Sequence, residues 1–333
     1  MKRFTLVTLA SLAACVVLAG MPTAASADPA EPTPGLSSMG PSPAGANDWD
    51  CKPSLEHPRP VVLVHGTGMS MTDTWDVMAP QLADLGYCVF ALNYGGVREI
   101  LNPNAVHWGI TDIASSAEEL AMFVDSVKFH TGTTQVDIVG HSQGGVVARQ
   151  YLKFNGGATR EDPSNNKVHS LISLGATNHG TTFGGLQANA RSLSAMGLPG
   201  DLLVQAIWGP AGVQQLSGTP FLTALNAESE TQPGIEYTVI ASAHDEISTP
   251  PEATFLSPGD GAVVHNVWTQ DNCAGNTASH GQLVRDPHTL DLVKSALDCQ
   301  WPRSSPRRRP VVLPAGGHGF SPVAASCFSP PAF

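Results

Sequence analysis

The pentapeptide Gly140-His141-Ser142-Gln143-Gly144 constrains the chain more than any other feature. It matches the pattern G-x-S-x-G, it follows the β-branched run 136–139, and a helix-period segment starts just after it. In that setting the pattern describes a sharp strand-to-helix turn that strains the serine backbone and lifts its hydroxyl clear of a sheet. The flanking glycines leave space where a Cβ would collide with neighbouring backbone. The helix that follows turns the partial positive charge of its N-terminus toward any anion developing there. Ser142 is therefore the expected nucleophile.

The surrounding pattern suits such a turn. Short β-branched runs alternate with helix-period segments, as in a mostly parallel sheet flanked by helices, an α/β fold. Residues 61–64 are apolar at every position, as a central strand requires. Helices are expected over 75–85, 113–129, 146–154 and 290–297, and further strands over 88–92, 171–174, 235–241 and 262–268. The stretch 180–226 carries many leucines with Ile207 and Trp208, and it shows no strand signal. It reads as a helical cap-like insertion that either packs on the core or borders an apolar cleft, with Leu202 and Trp208 as candidate substrate contacts.

Acyl chemistry at a serine needs two N–H donors for the oxyanion, an imidazole base and a carboxylate to orient it. The first donor is expected from Gln143, directly after the nucleophile. The second is expected from Thr67 in His65-Gly66-Thr67-Gly68, the loop entered from residues 61–64. His65 stands upstream of the serine at a strand end and is expected to brace that loop. Asp245, after the strand 235–241, is the expected acid, with Glu246 as runner-up; Asp260, Asp271 and Asp286 read as solvated loop residues. Among His265, His280 and His288, the Gly/Ser-flanked His280 is the expected base, because His265 falls inside a strand pattern and His288 opens the closing helix.

The ends speak to compartment. Lys2 and Arg3, the apolar stretch 4–18 and Ala25-Ser26-Ala27 read as a cleavable signal over residues 1–27, hence a secreted protein. Leu12-Ala13-Ala14-Cys15 offers lipoprotein anchoring as the lesser alternative, since the apolar run continues past Cys15. Residues 28–47 and 301–333 are Pro- and Ser-rich with little to bury, so both are expected to be disordered, leaving one domain over about 48–300. The net charge is −11, and setting aside the six cations Lys2, Arg3, Arg303, Arg307, Arg308 and Arg309 leaves −17 for the remainder, which argues against nucleic acid as a partner. Cys51, Cys88, Cys273 and Cys299 allow three connectivities, of which sequence proximity suggests Cys51–Cys88 and Cys273–Cys299. Cys327 is then odd. No cysteine or histidine spacing suits zinc, and no metal is expected.

Taken in order, VVLVHGTG, YCVFALNYG, IVGHSQGG, GATNHGTTFGG, HDEISTP and SHGQLVRDP resemble the secreted bacterial class 2 lipases and esterases, over about residues 50–300. The resemblance implies an α/β-hydrolase fold and a triad of Ser142, Asp245 and His280. It also implies oxyanion donors at Thr67 and Gln143, and it supports the two cysteine pairs. It implies hydrolysis of apolar esters such as acylglycerols through an acyl-enzyme, with no cofactor. The expected partner is a small-molecule or lipid ester, met by a monomer with transient contact at a lipid or polymer surface. A polyester hydrolase or an acyltransferase would use the same site, and a catalytically dead binding protein could share the fold.

Overall fold

Val61–Val64 (β1) is apolar throughout because it lies inside a sheet covered on both faces, and all four residues are buried. The computed structural model describes residues 40–298, apart from 100, 101, 103, 104 and 197–199. After β1 come α1 (Met71–Trp75), α2 (Met78–Asp84), β2 (Val89–Leu92), and the short pair β3 (Val97–Arg98) and β4 (Val106–His107). Then follow α3 (Ile113–Thr131), β5 (Val136–His141), α4 (Gln143–Phe154), β6 (Val168–Leu174), α5 (Leu186–Ala195), α6 (Asp201–Gln214) and α7 (Pro220–Asn226). β7 (Glu236–Ala241), β8 (Val263–Trp268) and α8 (Pro287–Leu297) complete the order.

Six strands form one sheet in the order β2-β1-β5-β6-β7-β8, every neighbouring pair parallel. Alternation along β1 divides the core. Val62 and Val64 pack with Ile113, Leu120, Val147 and Tyr151 of α3 and α4, whereas Val61 and Leu63 pack with Trp75, Met78, Leu82, Leu290 and Val293 on the other face. Each such side chain contributes about 1.5–3 kcal/mol by leaving water. Parallel strands all end on the same side, so the loops after β1, β5, β7 and β8 meet at one edge, where ligands bind in open α/β sheets.

Here the structure departs from the sequence expectations in two places. The helix expected over 75–85 is two helices, α1 and α2, broken at Asp76-Val77. Pro80 explains the break: it lacks an N–H and its ring would strike the carbonyl four residues back, so it is accommodated only in the first turn of a new helix. Residues 40–47, part of the leader expected to be disordered, are ordered. Asn47 accepts the Ala91 N–H at 2.8 Å and donates to the Ala91 carbonyl at 2.9 Å, and Ala46 bridges to Val89, so this segment covers the exposed edge of β2. The stretch 180–226 carries the helices α5, α6 and α7, in keeping with the expected helical insertion, and Ala190, Val204 and Leu216 form a small apolar cluster there.

Cys51 and Cys88 form a disulfide. Cys273 is disulfide-bonded as well; Cys299, its expected partner, lies outside the described residues, as do the signal segment 1–27, leader residues 28–39 and the tail 301–333.

Candidate active site

Ser142 stands between the end of β5 and the start of α4 with φ 54° and ψ −123°. A non-glycine residue there costs of order 1–3 kcal/mol, so the surroundings must hold it. Its N–H donates to the Leu174 carbonyl at 2.9 Å, and its carbonyl accepts the Gly145 N–H at 3.1 Å. The glycines are required by contact: a Cβ on Gly144 would lie 2.1 Å from the Val64 carbonyl oxygen, and one on Gly140 would lie 2.7 Å from the Gly144 carbonyl carbon. α4 can therefore begin at residue 143, earlier than the sequence pattern suggested.

His280 opens a short 3₁₀ turn, His280–Gln282, whose start is set by reciprocal bonds between Ser279 and Gln282. Its Nδ1–H donates to Asp245 Oδ2 at 2.7 Å, and both residues are buried. The other oxygen of Asp245, Oδ1, accepts the N–H groups of Ile247 at 2.9 Å and Ser248 at 2.7 Å. Each carboxylate oxygen thus has its own donors, and the imidazole keeps its Nε2 lone pair for the cavity side. Glu246, the runner-up acid, is exposed and meets the His280 backbone rather than its ring: Oε2 accepts the His280 N–H at 3.1 Å.

The loop after β1 approaches the same place. The buried His65 donates from Nδ1 to the Gly66 carbonyl at 2.8 Å and stacks on Tyr94 with ring centroids 4.3 Å apart. In a trans peptide the N–H points opposite to the carbonyl, so this bond turns the Thr67 N–H away from His65. Thr67 Oγ1 accepts from the side-chain amides of Gln143 at 3.1 Å and Gln215 at 2.9 Å, while Tyr94 Oη donates to Gln143 Oε1 at 2.9 Å. Burial lowers the pKa of His65 to about 4 and that of His141 to about 3, so both are neutral near pH 7.

Ser142, Thr67 and His280 line one cavity of about 240 Å³, together with Gly66, Met69, Phe183, Trp208 and Ile247. Gln143 lies beside Thr67, and Asp245 lies behind His280. Leu202 is a correction to the expectation: it is 56% exposed and does not line this cavity, whereas Trp208 does. Six residues at 3.6 per turn place the two side chains roughly 120° apart around α6, on different faces of the helix. His265 lies on β8 and His288 on α8, away from the cavity lining. Asp286, read as solvated, caps α8 by accepting the Thr289 N–H at 2.8 Å.

Several contributors were not singled out from the sequence. Gly175 has φ 56°, and a Cβ there would lie 2.9 Å from Asp245 Oδ2 and 3.2 Å from His280 Nδ1. The glycine directly after the 171–174 run was the available signal. Phe183, with φ 47°, stacks on Trp208 at 6.3 Å and closes one side of the cavity. Gln215 and Tyr94 had no sequence signal, because they reach Thr67 and Gln143 only through the folded chain.

A parallel sheet with helices on both faces, a strained serine at a strand-to-helix elbow and a histidine–aspartate pair at the same edge define an α/β hydrolase. The model of the class 2 lipases matches residues 58–292, and the chain belongs to that family. Triacylglycerol lipases of Pseudarthrobacter phenanthrenivorans and Burkholderia plantarii are each 32% identical over 95 residues, which is 27% of this chain and 27% and 24% of theirs. The chain thus spans about a quarter of the length of these curated relatives. Among solved structures, lipase B of Aspergillus fumigatus superposes with a TM-score of 0.56 at 22% identity, over 77% of this chain and 55% of that one. Bacillus licheniformis lipase BlEst2 in mature form gives 0.50 at 18% identity, over 74% and 94%. At these identities the likeness concerns the fold.

Proposed function

We propose that the chain is a secreted serine carboxylic-ester hydrolase acting on apolar esters such as acylglycerols. The observation that carries this reading is the opening of Ser142 and the Asp245-bound His280 into one largely apolar cavity. Ser142 Oγ attacks the ester carbonyl carbon while its proton passes to His280 Nε2. The resulting imidazolium keeps its Nδ1 proton on Asp245, which compensates the new charge without taking the proton. The N–H groups of Thr67 and Gln143 receive the oxyanion. His280 then protonates the leaving alkoxide, an acyl-serine remains, and water deprotonated by His280 releases the acid. The whole cycle uses side chains, backbone N–H groups and water and calls for no cofactor.

The hydrocarbon part of the substrate would lie against Met69, Phe183, Trp208 and Ile247. Action on an extracellular lipid ester agrees with the Cys51–Cys88 disulfide, since such links persist in oxidising compartments. The test is labelling by a fluorophosphonate together with a rate panel of p-nitrophenyl acetate, butyrate and octanoate. Labelling at Ser142, its loss in Ser142→Ala, and ester turnover lost with it are the expected results. Labelling at another serine, or turnover that survives in Ser142→Ala, would overturn the assignment.

A further inference from the structure

His141 has no part in the chemistry above, yet it occupies a singular place. It directly precedes the nucleophile, it is 1% exposed, and its ring centroid lies 4.8 Å from that of His280. Its Nε2–H donates to the backbone carbonyl of His280 at 3.1 Å, across 139 residues of sequence. The His280 N–H donates in turn to Glu246 Oε2 at 3.1 Å. Both backbone polar groups of residue 280 are thus held by side chains, one from the serine elbow and one from the segment that carries Asp245.

We infer that His141 and Glu246 are positioning residues that clamp the backbone of His280 and so register its imidazole against Ser142 and Asp245 at once. The inference rests on the reading of Ser142 and His280 as nucleophile and base. An imidazole held only through Nδ1 can pivot about that one bond, and a misplacement of about 1 Å can cost roughly 100-fold in rate. Holding the backbone on both sides removes the pivot. Because the Cα atoms of His141 and Ser142 are about 3.8 Å apart across one peptide, a single hydrogen bond ties the base to the nucleophile's own neighbour.

The chemistry of His141 suits the task. The bond to the His280 carbonyl requires its proton on Nε2. Its Nδ1 is buried without a hydrogen-bond partner and faces Gly66, where a Cβ would come within 3.1 Å. A second proton there would have no acceptor, and the ring would be a cation beside the imidazolium formed during turnover. A neutral donor locked in one tautomer therefore fits better than any charged side chain.

The test uses the full-length protein and p-nitrophenyl butyrate. His141→Phe keeps a ring and loses the donor; it should lower kcat about 10–100-fold with KM within about twofold, as expected for a displaced base. His141→Gln, which restores an N–H donor, should recover most of that loss. Glu246→Leu should lower kcat about three- to tenfold, and Glu246→Gln, whose amide oxygen still accepts the His280 N–H, should stay within about twofold of wild type. Unchanged kcat in both His141→Phe and Glu246→Leu would overturn the clamp, as would glutamine variants no better than the apolar ones. If the His141 variants do not fold, the exposed Glu246 pair decides alone. Wild type that is not labelled by fluorophosphonate would sink the reading of the site itself, whereas labelled wild type with indifferent variants would sink only the clamp.

Discussion

Asp245 Oδ2 accepts the Nδ1–H of His280, 35 residues further along the chain, at 2.7 Å, joining two loops that leave adjacent strands. The aspartate is itself oriented, because its Oδ1 is occupied by the Ile247 and Ser248 N–H groups. That arrangement assigns a distinct duty to each oxygen.

Asp245→Asn should therefore be far more damaging than loss of one charge. The amide oxygen would stay with the two backbone donors, which turns the NH₂ toward His280 Nδ1 and forces the ring proton onto Nε2. An imidazole in that tautomer cannot accept the Ser142 proton, so kcat should fall about 10³–10⁴-fold with little change in melting temperature. Steady-state kinetics beside Glu246→Gln checks it. A harmless Asp245→Asn with an inactive Glu246→Gln would reverse the assignment.

Trp208 and Leu202 should behave differently although both sit on α6. Trp208 lines the cavity, and a Cβ on Gly68 would come within 3.1 Å of its ring. Trp208→Gln should lower kcat/KM for the octanoate ester about tenfold more than for the acetate, since each methylene left in water forgoes about 0.8 kcal/mol. Leu202→Asp should change both by less than about twofold, because an exposed side chain gains no burial to lose. Equal losses on the two esters in Trp208→Gln would mean that its ring supports packing alone.

Stability should fall on acidification below neutral pH. The folded pKa of His65 lies at about 4 because burial opposes its charge, below the ordinary value of 6.5. Between those values the unfolded chain binds the proton that the folded chain refuses, so the contribution is intact above pH 6.5 and shrinks as pH falls toward 4. His141, lowered to about 3 by burial and then by the neighbouring His280, acts with the same sign over a wider window. Each represents several kcal/mol at most. Urea midpoints from pH 7.5 to 4.5 should decline, and His65→Gln should flatten the slope; a midpoint that rises on acidification would contradict the burial argument.

Gly175→Ala should impair the site from outside the cavity. The new methyl would press on Asp245 Oδ2 and Leu283 Cδ1 at 2.9 Å, at a backbone φ of 56° that side chains avoid. The strain is about 1–3 kcal/mol, and the displaced carboxylate should add a kcat loss of about tenfold or more. Comparing kcat at a temperature well below the variant's melting point separates the two effects. Full activity there would show that the pair tolerates the shift.

The sequence by itself determined what depends on neighbours along the chain. The elbow at Ser142 was legible because strand, serine, glycines and helix are consecutive. β1 was legible because four adjacent apolar residues can be satisfied only between two covered faces. Asp245 and His280 were legible as candidates from the order of strands, since a parallel sheet delivers every strand end to one edge. Tertiary structure alone decided the rest. Trp208 faces the cavity and Leu202 is largely exposed because apolar residues are spread around most of α6, so its orientation is set by what it docks against. Residues 40–47 are ordered although their composition suggested otherwise, because Asn47 fastens them through side-chain bonds to Ala91, which hydropathy does not encode. Gln215, Tyr94 and Gly175 join the site by contacts made only after the chain has closed over long sequence separations. Local chemistry names the groups that can react; the distances that let them react come from packing.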